Sequence, residues 1–122
     1  EGIAFEVSDL TTAMAKDLGK PLAILRTDGG AAANNVLMQS QADLSGVSVD
    51  RPVNLETTAF GAALFAGFGA GIYTDFTQMR NARKTERLFK PDTTQDQLAK
   101  VKAMHAGWER AIKAVRIFAG SI

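Results

Sequence analysis

One short segment, residues 28–34, combines residue types that could bind a ligand. It reads Asp28-Gly29-Gly30, then three alanines and Asn34, between an apolar stretch and a stretch that favours helix. Such a turn places free backbone N–H groups at a helix N-terminus, where the partial positive charge favours anions. Glycine also leaves room for a ligand that a Cβ would obstruct. The alternative is that the glycines form only a tight turn, which is the commoner use of such a pair.

Two side chains beside the glycines could contact the same ligand. Asn34 is expected one helical turn after Gly30, and its amide offers the donor and the acceptor that an adenine edge requires. It could equally be an exposed helical amide. Asp28 could be a catalytic carboxylate or could accept turn N–H groups, and we favour the second role. The segment lacks both the six-residue dinucleotide fingerprint and the lysine of a P-loop.

The other polar residues form no recognisable catalytic or metal site. Asp43, Asp50 and Glu56 are scattered, the chain has no cysteine, and its single histidine is His105. Thiolate and histidine-rich metal sites are therefore excluded. His105 and Trp108 lie on or beside the apolar stripe of a helix, so we interpret both as structural. We predict no catalytic residue and no metal ligand in the chain.

The composition is that of a folded protein without a strong charge. The 122 residues are 46% hydrophobic, and 14 basic against 13 acidic residues give a net charge of +1. Neither nucleic acid nor an anionic membrane is therefore predicted as a partner. The N-terminus has no signal-peptide pattern. It begins with Ile3, Ala4 and Val7 already spaced as on a helix, so we interpret the chain as a piece of something longer.

The longest apolar run, residues 59–72, is shorter than the ~20 residues of a membrane span. It contains four glycines, and such small residues bring packed elements close together. We therefore interpret the run as a buried helix pressed against a sheet.

Periodicity and turn signals predict the order helix, strand, helix, strand, then further helices. Strands are expected at residues 22–27 and 47–49, and an extended connection is expected at 86–91. Helices are expected at residues 9–18 (capped by Ser8), 31–45, from 57 or 58 through the apolar run, 74–84 and from 95 to about 120. A strand–helix–strand order predicts a parallel pair of strands. Two short parallel strands are too few for a stable sheet, so neighbouring strands are expected elsewhere.

The ligand-binding segment resembles a known motif. Residues 28–31 (DGGA), 33–35 (ANN) and 37–39 (LMQ) together resemble the adenosine-binding motif of the glycerol kinases. These enzymes belong to the FGGY carbohydrate kinase family, whose fold is shared with actin and hexokinase. The Asn-Asn-x-Leu-Met-Gln string is the specific part, because it favours glycerol kinases over the pentulokinase relatives.

The resemblance extends over nearly the whole chain in the same order. Residues 56–67 (ETTAFGAALFAG) resemble the helix after the second strand, and residues 2–6 and 107–114 match family segments at the two ends. Thr27 stands where a branched apolar residue is usual, and Phe60 where leucine is common. Both departures are conservative in shape.

The resemblance implies an α/β fold, a fragment of an actin-like ATPase (ribonuclease H-like) domain with short parallel strands and several covering helices. Residues 1–122 would be the C-terminal portion of the second, nucleotide-binding domain, and the first domain would be absent. In such kinases ATP and Mg²⁺ lie mainly on the second domain and glycerol mainly on the first. A carboxylate of the first domain takes the hydroxyl proton as the γ-phosphoryl group transfers in line.

Four residues carry over as the nucleotide cradle: Gly29, Gly30, Ala31 and Asn34. The resemblance implies that the Gly30 N–H lies near the adenosine and first phosphate, and that the small side chain of Ala31 lines the base pocket. Asn34 would bind the adenine or hold the turn that does. The catalytic carboxylate, the glycerol contacts, the metal ligands and the phosphate loop would lie outside these residues.

The full-length protein would then make sn-glycerol 3-phosphate from glycerol and ATP, as a cytoplasmic homo-oligomer. The 122-residue chain alone would be inactive. The alternatives are a related FGGY kinase acting on another sugar or polyol, and a non-catalytic module that reuses the scaffold for protein contacts.

Overall fold

The computed structural model describes residues 1–120, which contain five α-helices, a short 3₁₀ helix and three strands. The helices are α1 (Gly2–Leu18), α2 (Asn35–Ser45), α3 (Thr57–Gly69), α4 (Phe76–Ala82) and α5 (Gln95–Phe118); the strands are β1 (Leu25–Arg26), β2 (Val49–Pro52) and β3 (Thr85–Phe89); the 3₁₀ helix is Gly30–Ala33. The predicted α/β class is confirmed.

The three strands form one sheet in the order β1-β2-β3. β1 pairs with β2 in parallel, with Leu25 opposite Val49, as the strand–helix–strand order predicted. β3 pairs with β2 antiparallel, with Leu88 opposite Asp50. The extended connection predicted at residues 86–91 therefore contains most of a strand, which had not been predicted. Four of the five residues of β3 are exposed, so the strand lacks the apolar alternation that would have identified it.

Helix α2 lies between two hydrophobic clusters and joins them. The cluster on the sheet side consists of Ala32, Met38, Ala42, Val49 and Phe89, and the cluster on the other side consists of Ala4, Phe5 and Leu44. Val101, Met104 and Trp108 of α5 pack against the second cluster. Helix α2 is thus held between the sheet and a helical layer, and Ala32 of the segment before it packs on the sheet side.

Helix α1 begins at Gly2, so the prediction that Ser8 caps a helix starting near residue 9 was wrong. Ser8 is buried inside the helix, and its hydroxyl donates to the Leu44 carbonyl at 3.2 Å. Ala4 and Phe5 bury against α2, and this packing outweighs the preference of serine for a cap. The helix ends as predicted at Gly19, which has a φ of 66°.

The structural roles predicted for the two rings of α5 match their surroundings. Trp108 stacks on Phe5 with ring centroids 5.1 Å apart, and its Nε1 donates to Asp9 at 2.8 Å. His105 meets the edge of Phe5, and its Nε2 lies 2.9 Å from the Leu44 carbonyl oxygen. Both side chains therefore fasten α5 to α1 and α2.

The apolar run forms helix α3 as expected, but the expectation that it is buried was wrong. Gly67 is its one buried residue within residues 1–120, and Phe65 is 63% exposed. The helix is apolar on nearly every side, whereas the three short strands are covered mainly by α2. The burial of such a helix depends on neighbours that the residues described here do not supply.

Candidate functional site

The candidate site is the glycine turn, residues 28–33, which connects β1 to α2. Gly29 adopts φ 75° and ψ 172°, a combination that only glycine takes readily. Its N–H donates to the Leu55 carbonyl at 2.8 Å, and its own carbonyl accepts from Ala32 N–H at 3.0 Å. The backbone path itself therefore requires glycine at position 29.

Gly30 is adjacent to Gly29, but neither its backbone conformation nor its surroundings require glycine. Its φ is not positive, and a Cβ built on it would meet no atom of the described residues within 4 Å. Both Gly30 and Ala31 are exposed, and among residues 1–120 neither N–H donates to a backbone carbonyl. These two N–H groups belong to the first residues of a helical turn, which leaves them free for an outside acceptor. Any requirement for glycine at position 30 must come from outside this chain.

Asn34 is the N-cap of α2 and not a residue one α-helical turn after Gly30. Its Oδ1 accepts from the N–H groups of Val36 at 2.9 Å and Leu37 at 3.1 Å. The predicted helix from residue 31 is in fact a 3₁₀ helix followed by a break at Asn34, whose ψ is 108°. Asparagine is among the best N-caps, because its oxygen satisfies orphan donors of the first turn. Its side chain, which is exposed, thus fixes where the turn ends.

Asp28 connects the glycine turn to α3. Its Oδ2 accepts a hydrogen bond from the hydroxyl of Thr57, the first residue of that helix. The preference for turn N–H groups as its partners was therefore wrong. No local sequence pattern could predict this contact, because the two residues are 29 positions apart.

A buried arginine, which sequence reasoning treated only as the end of a strand, holds the turn from the sheet side. Arg51 Nη1 donates to the carbonyls of Ala32 at 3.0 Å and Ala33 at 3.2 Å. Its Nε donates to Glu86 at 2.7 Å, and its guanidinium lies 5.0 Å from the centre of the Phe89 ring. The hydrogen bond from Arg51 is the main cause that lowers the pKa of Glu86. Arginine is mostly exposed in proteins, so the sequence offered no signal that Arg51 would be buried against the turn.

A small depression of about 230 Å³ lies beside the turn. Its lining residues are Ala33, Arg51, Pro52, Val53, Leu55 and Glu86. Pockets for small molecules usually measure ~300–1,000 Å³. The depression is thus too small to hold a ligand by itself, and none of the four predicted cradle residues lines it.

A larger cavity of about 720 Å³ lies between α3, α4 and the sheet, and none of the four predicted cradle residues lines it. Its apolar lining residues are Val53, Phe60, Leu64, Phe65, Phe76 and Met79. The one carboxylate in its wall, Asp50, is already paired with Arg83 at 2.8 Å and Arg26 at 3.6 Å. The basic side chains of Arg80 and Lys84 also line this cavity. The glycine turn, where two backbone N–H groups are exposed, is kept as the candidate site.

The ion pair in the cavity wall stabilises the ionised form of Asp50. Burial is the largest single influence and raises the pKa of Asp50. Hydrogen bonds from Arg83 and Thr85 and the charges of Arg83 and Arg26 together outweigh it, so the pKa falls below its ordinary value of 3.8. Asp50 thus serves as a structural anion between β2 and the end of α4.

Residues 1–120 contain no group of three His, Asp or Glu side chains placed to hold a metal ion. None of the helices described in that range is long and apolar enough to cross a membrane.

Comparison with known proteins shows which family the chain resembles. Residues 1–70 match the C-terminal domain of the FGGY family of carbohydrate kinases. The glycerol kinase of Myxococcus xanthus is 47% identical over 114 residues, which are 93% of this chain and 22% of that protein. The glycerol kinase of Streptococcus gordonii is 40% identical over 119 residues, 98% of this chain and 23% of that protein. The chain therefore spans less than a quarter of the length of these relatives.

Solved structures show the same fold. The crystal structure of Plasmodium falciparum glycerol kinase with ADP superposes with a TM-score of 0.76 at 27% identity, over 93% of this chain and 22% of that one. Ligand-bound xylulose kinase from Lactobacillus acidophilus superposes with a TM-score of 0.72 at 18% identity, over 93% and 23%, which is evidence for the fold alone. The expected actin-like fold class is confirmed. The family match covers more than half of the chain, so the chain belongs to the FGGY family of carbohydrate kinases.

Proposed function

We propose that this chain is the nucleotide-binding part of a glycerol kinase. In the full-length protein it would hold ATP while the γ-phosphoryl group is transferred to glycerol to give sn-glycerol 3-phosphate. Relatives named glycerol kinase, at 40–47% identity over 93–98% of the chain, support this substrate. We assign residues 1–122 to the C-terminal portion of the second domain, and we place the reaction in the cytoplasm because ATP is the donor.

The observation that carries the proposal is the pair of exposed N–H groups at Gly30 and Ala31. They lie at the start of a helical turn, where an anionic group is favoured. In this proposal the Gly30 N–H faces the adenosine and first phosphate, and the Ala31 methyl group lines the base pocket. Asn34 acts mainly by ending the turn through its two bonds to α2. Gly29 supplies the backbone path that brings these groups to the surface.

The remaining chemistry is assigned to parts of the kinase beyond this chain. Phosphoryl transfer requires a base for the attacking hydroxyl and Mg²⁺ on the phosphates. Mg²⁺ prefers oxygen ligands, and residues 1–120 hold no group of three acidic or histidine side chains suited to a metal. The metal ligands, the base and the glycerol contacts are therefore proposed to lie outside this chain.

The proposal is tested with Gly30→Val in the full-length protein. The added side chain meets no atom of this chain, so the variant is expected to fold, while its branched methyl groups would occupy the nucleotide side. We expect the KM for ATP to rise about tenfold, a loss of about 1.4 kcal/mol, and the KM for glycerol to change less than about twofold.

Gly69→Val is the matched control, because a Cβ at Gly69 also meets nothing within 4 Å and the residue is exposed at the end of α3. It should leave both KM values unchanged. Equal effects of Gly30→Val on the two KM values would contradict the assigned role. Absence of glycerol-dependent ATP turnover in the wild-type full-length protein would overturn the proposed function itself.

A further inference from the structure

Arg51 is a residue of the sheet, but two of its hydrogen bonds go to the glycine turn. Its side chain is only 10% exposed, and it donates to two carbonyls of the turn and to Glu86. A buried charge is costly unless it is paired and fully hydrogen-bonded. Replacing such a group with apolar residues is often neutral or stabilising. Stability alone is therefore a poor reason for an arginine beside the Phe89 ring.

The turn itself is weakly held without this contact. Its regular part is one short 3₁₀ helix, whose hydrogen bonds have poorer geometry than those of an α-helix. The bonds along its backbone measure 3.0 Å, from Ala32 to Gly29, and 3.2 Å, from Asn34 to Ala31. Arg51 adds two charge-assisted hydrogen bonds to the carbonyls of Ala32 and Ala33. In a helical turn the carbonyl groups point away from the end at which the free N–H groups lie.

The arginine is itself fixed to two strands. Arg51 lies on β2, the central strand, and its Nε is held by Glu86 of β3. The guanidinium presents its nitrogen atoms in one rigid plane, so the bond to Glu86 orients the nitrogen that reaches the turn. A lysine has one terminal nitrogen and cannot reproduce that geometry. The position of the turn is in this way tied to the paired strands.

We propose that Arg51, oriented by Glu86, is a positioning residue for nucleotide binding. By holding the Ala32 and Ala33 carbonyls it fixes the plane of the 3₁₀ turn and so aims the Gly30 and Ala31 N–H groups at the nucleotide. This inference rests on the proposed function, because it presupposes a nucleotide at the glycine turn. Among residues 1–120, the side chain of Arg51 donates hydrogen bonds only to the turn and to Glu86, so it acts through the turn.

The experiment compares three variants of the full-length protein: Arg51→Met, Arg51→Lys and Glu86→Gln. The dissociation constant for MgADP is measured by titration calorimetry, and KM for ATP, KM for glycerol and Tm are measured alongside. Arg51→Met should weaken MgADP binding about tenfold, and Arg51→Lys nearly as much. Glu86→Gln should weaken it about threefold, because a neutral partner still accepts the Nε bond. The KM for glycerol should change less than about twofold in all three.

Arg83→Met is the matched control. Arg83 also joins β2 to a neighbouring segment, through an ion pair with Asp50, but it does not contact the glycine turn. Arg83→Met should lower Tm about as much as Arg51→Met does, and it should leave MgADP affinity unchanged. In the double variant Arg51→Met/Glu86→Gln, affinity should be no lower than in Arg51→Met, because Glu86 acts only through Arg51.

Three outcomes would overturn the positioning role. They are wild-type MgADP affinity in Arg51→Lys, equal affinity losses in Arg51→Met and Arg83→Met, and additive losses in the double variant. If Arg51→Met does not fold, the positioning role is tested by the MgADP affinities of Arg51→Lys and Glu86→Gln, which keep much of the side-chain volume. Failure of the wild-type protein to bind MgADP would overturn the proposed function, whereas binding unchanged by the variants would overturn this inference alone.

Discussion

Gly29 and Gly30 are adjacent, but different physical constraints act on them. Gly29 has a backbone conformation in which any Cβ is strained. Gly30 has an ordinary φ and open space around it. The sequence could show that a Gly-Gly turn precedes a helix, but it could not say which glycine serves the fold. That distinction required the backbone angles and the surroundings of each residue.

This difference predicts opposite results for two alanine substitutions. Gly29→Ala should lower the free energy of unfolding by about 1–3 kcal/mol, because alanine is strained at this φ and ψ. Gly30→Ala should change it by less than about 1 kcal/mol, since the methyl group meets no protein atom. Urea denaturation monitored by Trp108 fluorescence measures both. Equal destabilisation by the two substitutions would contradict the separate roles.

Three other residues show what a local sequence pattern can and cannot predict. The asparagine at position 34 was identified as important, yet its place at the break between a 3₁₀ helix and α2 was not. Asp28 and Arg51 find their partners at Thr57 and Glu86, which are 29 and 35 positions away. Local periodicity carries no information about such long-range contacts, so these partners could not be predicted.

At the scale of elements, the central strand β2 connects the two sides of the structure. The neighbouring residues Asp50 and Arg51 have different partners, as expected when successive side chains point to opposite faces of a strand. Asp50 pairs with Arg83 after α4, and Arg51 holds the glycine turn. The parallel pairing of β1 and β2 was predictable from the element order. The pairing of β3 was not, because its exposed polar residues resemble a loop.

The ion pair of Asp50 gives a pH-dependent prediction. The pKa of the folded carboxyl is below 3.8, so its stabilising effect is complete above about pH 5 and is lost as the pH falls through the folded pKa. Asp50→Asn leaves Arg83 without its charged partner and should cost about 3 kcal/mol at pH 7. The difference from wild type should shrink below about pH 3, where the wild-type carboxyl is protonated as well.

Stability at the two pH values is measured by urea denaturation. Asp17→Asn, at an exposed position in the last turns of α1, is the control. It should move stability by less than about 0.5 kcal/mol at either pH. A cost of Asp50→Asn that stays the same from pH 7 to pH 3 would show that the ion pair is not its origin.

At the scale of the whole molecule, the fold class followed from the sequence and the extent of burial did not. The two clusters around α2 are built by residues of this chain, whereas Leu10, Met14 and Leu18 of α1 are exposed. Helix α3 was predicted to be buried, yet Phe65 on α3 and Ile72 just after it remain 63% and 72% exposed. Composition can indicate that a helix is meant to be covered, but not which part of a protein covers it.

The incomplete site predicts the behaviour of the isolated chain. The purified 122-residue protein should show no glycerol-dependent ATP turnover, because residues 1–120 hold no group of three side chains placed for a metal ion, and the depression beside the glycine turn is smaller than a usual ligand pocket. A coupled assay for ADP release, with the full-length protein as positive control, measures this. Glycerol-dependent ADP release by the purified chain would mean that the catalytic groups lie within it.

The stacking of Trp108 on Phe5 has a consequence for biosynthesis. The Trp108–Asp9 hydrogen bond spans 99 positions, whereas Ser8 and Ala4 reach α2 over only 36 and 37. Shorter loops close more readily than long ones. On the ribosome, α1 and α2 can therefore dock while the ring of Phe5 is still uncovered and open to a chaperone. Only when α5 has emerged can the indole cover that ring, so the packing around α1 is completed after α5 has been translated.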